Sequence, residues 1–342
     1  MSTIKNVAKE AGVSISTVSL ALNGSKAVKE ETRRRVVAAA RKLSYTPNPN
    51  ARSLVTKKNL VIGVVRCTDD ISDSAYGFDS TVDTYLAEML KSIEQGSFTA
   101  GYSLMVDWSE TYTDKSELPP MFQQGKVDGV LMVGGIINEK LPEMIARSAI
   151  PTVLVGSRSA MLDCVDTSYR AAIRMAVEYL VEMGHREIAF INGPDTSQTS
   201  AQKLQGYREG LQKAGLPFNE ALVSKSNFSG YGGYTAMRGL VEKGIGPKAL
   251  IAAVDCIALG ALRYLSERSL YCPRDISVVG FEDGILAEYA LPPLTTVSAQ
   301  KHELGKRACK MLLGRIAEPD APHQLVLLEP KLVVRESVRR WE

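Results

Sequence analysis

Long apolar runs are missing from this chain. No stretch of eighteen or more apolar residues occurs, and Lys5, Lys9 and Glu10 stand where a secretory leader would be apolar. A soluble, cytoplasmic protein with no membrane partner is therefore expected. Cysteine is sparse: Cys67, Cys164, Cys256, Cys272 and Cys309 are scattered, with no close pair to suggest a disulfide framework or a zinc site. Histidine is sparser still, and no acid or cysteine sits at ligand spacing beside His185, His302 or His323. The sequence also lacks a Gly-rich phosphate loop after a strand and a GxSxG nucleophile elbow. The glycine-bearing loops Asn192 to Pro194 and Gly230 to Tyr234 have neither the lysine nor the spacing of a nucleotide site. No metal, cofactor or catalytic role is expected.

At 342 residues and 45% hydrophobic, the chain can bury more than one core. Its net charge of +3 hides an asymmetry. The first 58 residues hold twelve Lys/Arg against Glu10, Glu30 and Glu31, a charge of +9, which leaves −6 on the rest. A basic module for a polyanion attached to an acidic body fits that split.

The basic segment reads as three helices. Thr3 can cap a first helix whose apolar stripe is Ile4, Val7, Ala8 and Ala11, and Gly12 ends it. Ser14 can cap a second, with Val18, Ala21 and Leu22 on one side and Ile15, Ser16, Ser19 and Leu20 on the other. A third, from about Lys29 to Leu43, buries Val36, Ala39, Ala40 and Leu43 and turns Arg33, Arg34 and Arg35 to solvent. Two short helices around a tight glycine turn make a helix-turn-helix, whose second helix enters the major groove of DNA. Ile15, Ser16 and Leu20 are the candidate base readers, with packing into the core as the plainer role for Leu20. Ser16 can donate or accept, whereas Ile15 and Leu20 can only meet apolar groups such as thymine methyls. Thr3, Ser14, Thr17, Asn23 and Tyr45 lie near helix ends, where phosphates would pass.

The runs TIKNVAKEAGVSISTVSLALNG and VKEETRRRVVAAARKLSYTPNPNARSL closely resemble the lactose-repressor (LacI/GalR) family of bacterial transcription regulators. By that resemblance residues 15, 16 and 20 occupy the base-reading positions. Asn48 and Pro49 are a helix-start signature, and a helix of about two turns from there is too short to persist alone. The resemblance implies that two such hinge helices pair in a dimer on DNA. Leu54 then matches the leucine wedged into the minor groove, with Arg52 beside the phosphates.

From Leu60 onward continuous apolar runs alternate with helical patterns: LVIGVV, YSLMVDW, VDGVLMVG, IPTVLVG, REIAFING, ALIAAVD and ISVVGFED. They predict parallel sheets buried on both faces, in two doubly wound lobes with a cleft between them. This segment resembles the family's core, itself similar to periplasmic sugar-binding proteins. The expected organisation is an all-α helix-turn-helix headpiece (1–46), a hinge (47–59) and a two-lobed α/β core (60–342). One lobe takes 60–157 and 292–318, the other 161–289 and 322–338. The resemblance implies crossings near Ser157 to Met161, Glu288 to Pro293 and Ala317 to Pro322.

It also implies an effector pocket in the cleft, at Lys203, Phe228, Asp255, Glu282 and Asp283. Three positions depart from the family's usual residues: Lys203 replaces an arginine, Val254 an asparagine and Glu282 an aspartate. A lysine offers a point charge where arginine offers a planar fork. Each pocket residue has a plainer reading as well: Phe228 as core, Asp255 as a helix cap, Lys203 as a surface charge. The expected function is a repressor, nucleoid-associated in the cytoplasm. It binds a near-palindromic double-stranded operator as a homodimer under control of a small effector, a carbohydrate by family habit. A non-sugar effector, no effector, or ligand binding without DNA function are the alternatives.

Overall fold

The computed structural model describes residues 2–22, 25, 27–46, 58–66, 84–107, 118–134 and 140–341. Contacts divide the chain into two units that meet between Leu60 and Val61. Asn23, Arg52, Leu54 and the expected hinge helix lie outside the described residues.

The first unit holds helices α1 (Ile4–Ala11), α2 (Ile15–Leu22) and α3 (Glu30–Lys42). Val7, Ala8, Ala11, Val18, Ala21, Val36, Ala39 and Ala40 form its core, with Ile4, Leu22 and Leu43 packed against it. Gly12 ends α1 with φ 63°, a left-handed turn that suits glycine. The Ser14 hydroxyl caps α2 by accepting the Thr17 N–H at 3.1 Å. Arg33 differs from expectation. Instead of facing solvent it is half-buried and donates to the carbonyls of Ala21 (3.3 Å), near the end of α2, and Ser25 (2.8 Å), beyond it.

The second unit contains two six-stranded sheets. In chain order its elements begin with β1 (Val61–Arg66), α4 (Thr84–Thr99), β2 (Ser103–Asp107), α5 (Pro120–Gln123) and β3 (Gly129–Val133). There follow α6 (Leu141–Arg147), β4 (Thr152–Val155), β5 (Asp163–Thr167), α7 (Tyr169–Glu182), β6 (Ile188–Asn192) and α8 (Gln198–Lys213). Next come β7 (Val223–Lys225), α9 (Gly230–Glu242), β8 (Ala249–Ala252), α10 (Asp255–Glu267), β9 (Ser277–Glu282) and α11 (Ile285–Glu288). The last are β10 (Thr295–Ser298), α12 (Lys301–Ala317), β11 (Leu325–Leu328) and β12 (Lys331–Val333).

The first sheet runs β11-β5-β4-β3-β1-β2, every pair parallel. The second runs β12-β10-β9-β8-β6-β7, parallel except for β12. All seven apolar runs seen in the sequence are strands here, and six are buried as parallel strands between helices must be, while β2, at the sheet edge, is half-buried.

The lobe boundaries need correction. The chain crosses between sheets at 167–169, 298–301 and 328–331, so each expected crossing comes too early. Residues 163–167 and 325–328 belong to the first lobe and 295–298 to the second, against the division at 161–289, 292–318 and 322–338. DCVDT carries two aspartates and stands outside the apolar runs. Yet Asp163 and Asp166 are fully buried, each paired with an arginine. The crossings are tied together: Ser168 N–H donates to the Leu328 carbonyl at 3.3 Å, and the Thr167 hydroxyl to that of Ala299 at 3.0 Å.

Candidate functional site

The headpiece offers one face of α2. Val18 and Ala21 point into its core, while Ile15 and Leu20 are 44% and 45% exposed and Ser16 lies exposed beside them. Large apolar side chains left this open on so small a unit mark a contact surface. Leu20 thus lies on the open face of α2 rather than in the core. Thr3 and Ser14 are exposed at the amino ends of α1 and α2, where free backbone N–H groups favour anions. Thr17 sits on the first turn of α2, its hydroxyl 2.8 Å from that of Ser14. Tyr45 is instead half-buried against the headpiece core.

The second site lies between the two sheets of the core. Lys203, on α8, is only 2% exposed, which removes its reading as a surface charge. Its ammonium donates to the Ala253 carbonyl at 2.8 Å and lies 4.6 Å from the ring centre of Phe281 and 5.3 Å from those of Tyr169 and Phe228. Three ring faces around one cation give it cation–π stabilisation in place of water. Burial still dominates and lowers the Lys203 pKa to about 8, although the charges of Glu282, Asp255 and Asp166 work in the other direction. Phe228, with φ 64°, lies over Gly193, where a Cβ would come within 2.1 Å of its ring.

Asp255 opens α10 but does not cap it. One carboxylate oxygen accepts the Thr296 hydroxyl at 2.6 Å and the other the Gly284 N–H at 2.9 Å. Burial pushes its pKa up to about 6 against those hydrogen bonds and the Lys301 charge. Asp283 pairs with Arg335 at 2.7 Å. These two aspartates therefore brace the loop after β9, whose Glu282 is near enough to act on the Lys203 charge.

Four neighbours went unnoticed in the sequence. Asp166 and Arg158 reach the cleft from the first lobe as an ion pair at 2.6 Å. Tyr169, its hydroxyl pKa raised by burial, belongs to the core against which Tyr85 of α4 packs. Tyr169 and Phe281 sit in apolar runs, and nothing in such a run separates a site residue from core. Among the described residues no group of three or more His, Cys, Asp or Glu could hold a metal ion, and no helix is long and apolar enough to cross a membrane.

Residues 3–48 match the model of bacterial regulatory proteins of the lacI family, and residues 177–338 that of the periplasmic binding protein-like domain. The chain is 34% identical to the HTH-type transcriptional repressor PurR of Photorhabdus laumondii, over 99% of this chain and 97% of that protein. It is 33% identical to PurR of Escherichia coli over the same shares. The chain belongs to the lacI family. Members of this family are DNA-binding transcription regulators. Its fold is similar to that of the lac repressor dimer bound to operator and the anti-inducer ONPF, with a TM-score of 0.83 and 27% identity over 99% of both chains. It is also similar to a complex of the transcriptional regulator CelR with cellobiose, with a TM-score of 0.72 and 30% identity over 98% of this chain and 100% of that one.

Proposed function

We propose that this lacI-family regulator is a cytoplasmic repressor that binds a near-palindromic operator as a homodimer, and that a small effector in the interlobe cleft sets its operator affinity. The observation that carries this reading is the exposed Ile15, Ser16 and Leu20 face on the second helix of a helix-turn-helix. One headpiece reads a half-site, so a two-fold dimer is needed for a near-palindrome. The apolar strip Ile285, Leu286, Tyr289 and Leu291, the last 92% exposed, offers a second copy a surface to cover. Leu54 is the proposed minor-groove wedge and Arg52 and Asn23 are proposed phosphate contacts.

For the effector we infer a sugar or sugar derivative. Phe228 supplies a flat apolar face and Glu282 a hydroxyl acceptor, and CelR, a relative of similar fold, is seen with cellobiose. A different effector, or none, is favoured by a separate observation: Lys203, Asp255 and Asp283 already have protein partners. Selection from random duplex DNA with the purified chain tests the reading. A near-palindrome bound with affinity that falls steeply with salt is expected, and no enriched sequence would overturn it. Thermal shift with a panel of sugars tests the effector: a raised melting temperature is expected with one of them, and none with any sugar would overturn the sugar assignment.

A further inference from the structure

At the end of β9, two consecutive non-glycine residues, Glu282 and Asp283, take positive φ of 114° and 55°. L side chains adopt that backbone at a cost and keep it only where their surroundings enforce it. Three bonds do so here. Arg335 holds Asp283 at 2.7 Å and Asp255 holds the Gly284 N–H at 2.9 Å, both from the same lobe. The third bond comes from the other lobe: Glu88 on α4 accepts the Ile285 N–H at 3.1 Å through one oxygen. Its second oxygen pairs at 2.8 Å with Lys301, which is 4% exposed. A Cβ added at Gly284 would lie 3.3 Å from both Glu88 and Lys301 and 3.8 Å from Asp255, so these charged groups converge on the turn.

One helical turn before Glu88, Tyr85 packs against the second-lobe core that includes Tyr169, the first helical residue of that lobe and part of the Lys203 aromatic box. The first turns of α4 thus present two side chains, three residues apart and on one face, to the opposite lobe. Both touch the element that carries a wall of the cleft.

We propose that Glu88 is a positioning residue of the effector site: from the first lobe it holds the 282–285 turn of the second in its strained form, so that the Glu282 wall is set only while the lobes are closed. This rests on reading the cleft as the effector site. Effector affinity and lobe closure are then linked through a single carboxylate, because opening the cleft withdraws Glu88 and lets the turn relax. The ion pair with Lys301 holds the carboxylate in place and makes its bond to the Ile285 N–H a charge-assisted one.

The test is site-resolved hydrogen–deuterium exchange on the full ligand-free chain, comparing wild type, Glu88→Ala and Glu88→Gln. Alanine removes the acceptor, whereas glutamine keeps an oxygen for the Ile285 N–H. Exchange at Ile285 and Gly284 is expected to rise about tenfold in Glu88→Ala, the scale of one lost charge-assisted hydrogen bond. In Glu88→Gln it should stay within about twofold of wild type, since the acceptor geometry is kept. Scattering should give a larger radius of gyration for Glu88→Ala alone. Wild-type exchange in Glu88→Ala, or equal loss of protection in both variants, would overturn the proposal. Circular dichroism identifies a variant that has merely unfolded, in which case Glu88→Gln alone decides: protection kept supports the proposal, protection lost ends it. The exchange pattern is readable whether or not the chain selects any DNA, so failure of the regulator reading is seen separately.

Discussion

Arg315 and Asp163 form a two-pronged ion pair in the interior of the first lobe, with Nε and Nη2 of the arginine at 2.8 and 3.1 Å from the two carboxylate oxygens. Asp163 opens β5, Arg315 closes α12, and the same guanidinium also donates to the carbonyls of Pro319, Ala321 and Pro322. One residue thus fixes both the buried aspartate and the chain that returns to β11.

Removing either partner leaves a buried charge without its counterion. Arg315→Ala is expected to lower the unfolding free energy by about 3–5 kcal/mol, and Arg315→Lys by a smaller amount because one prong is lost. Urea denaturation measures this. A loss in Arg315→Ala below about 1 kcal/mol, the scale of a surface pair, would contradict the assignment.

Lys203 makes a pH prediction. Its folded pKa of about 8 lies below the usual 10.5, so between those values the unfolded chain holds a proton that the folded chain does not. This group's contribution to stability therefore rises with pH across that window, and the cost of burying the ammonium is fully present below it. Lys203→Met should raise stability at pH 7 by on the order of 1 kcal/mol, with less gain at higher pH. Melting curves at pH 7 and 9.5 give the comparison, and a destabilised variant at pH 7 would refute it.

Asp255 has the opposite sign. Its folded pKa of about 6 exceeds the ordinary 3.8, so the folded state keeps a proton that the unfolded chain loses between those values. The stability it contributes is present below that window and declines as pH rises through it. Asp255→Asn should gain on wild type as pH rises from 4 to 7, because Asn can accept from Gly284 N–H and donate to Thr296. Asp255→Ala should follow the same pH trend but lie about 1–3 kcal/mol below Asp255→Asn at each pH, since the Gly284 N–H is left without its acceptor. Coincident stabilities of the two variants across pH 4 to 7 would show that the hydrogen bonds do not matter.

In the headpiece, replacing Ile15, Ser16 and Leu20 together with a relative's residues should redirect the selected operator while leaving the fold intact. All three are on the open face of α2. Selection of the unchanged operator by the triple variant would remove them as readers.

Much of this protein was legible locally. The three headpiece helices, the open face of α2 and all seven apolar strands followed from spacing and caps, because helix and strand periodicity are properties of neighbouring residues. The strands β5, β7, β10, β11 and β12 are not among the apolar runs. A strand with two aspartates is buried only when its partners arrive, and for Asp163 that partner is Arg315, 152 residues away in sequence. Arg33 was placed in solvent since nothing nearby tells of the carbonyls at the end of α2. Lys203 likewise had no local sign of its aromatic box.

By itself, then, the sequence determined where elements form, which faces are apolar and which family the headpiece resembles. Tertiary structure alone decided which lobe each short strand joins, where the chain crosses, and how Lys203, Asp255 and Glu88 share the cleft. The physical reason is that a buried charge takes its state from groups brought beside it by folding, and neither composition nor periodicity records those neighbours.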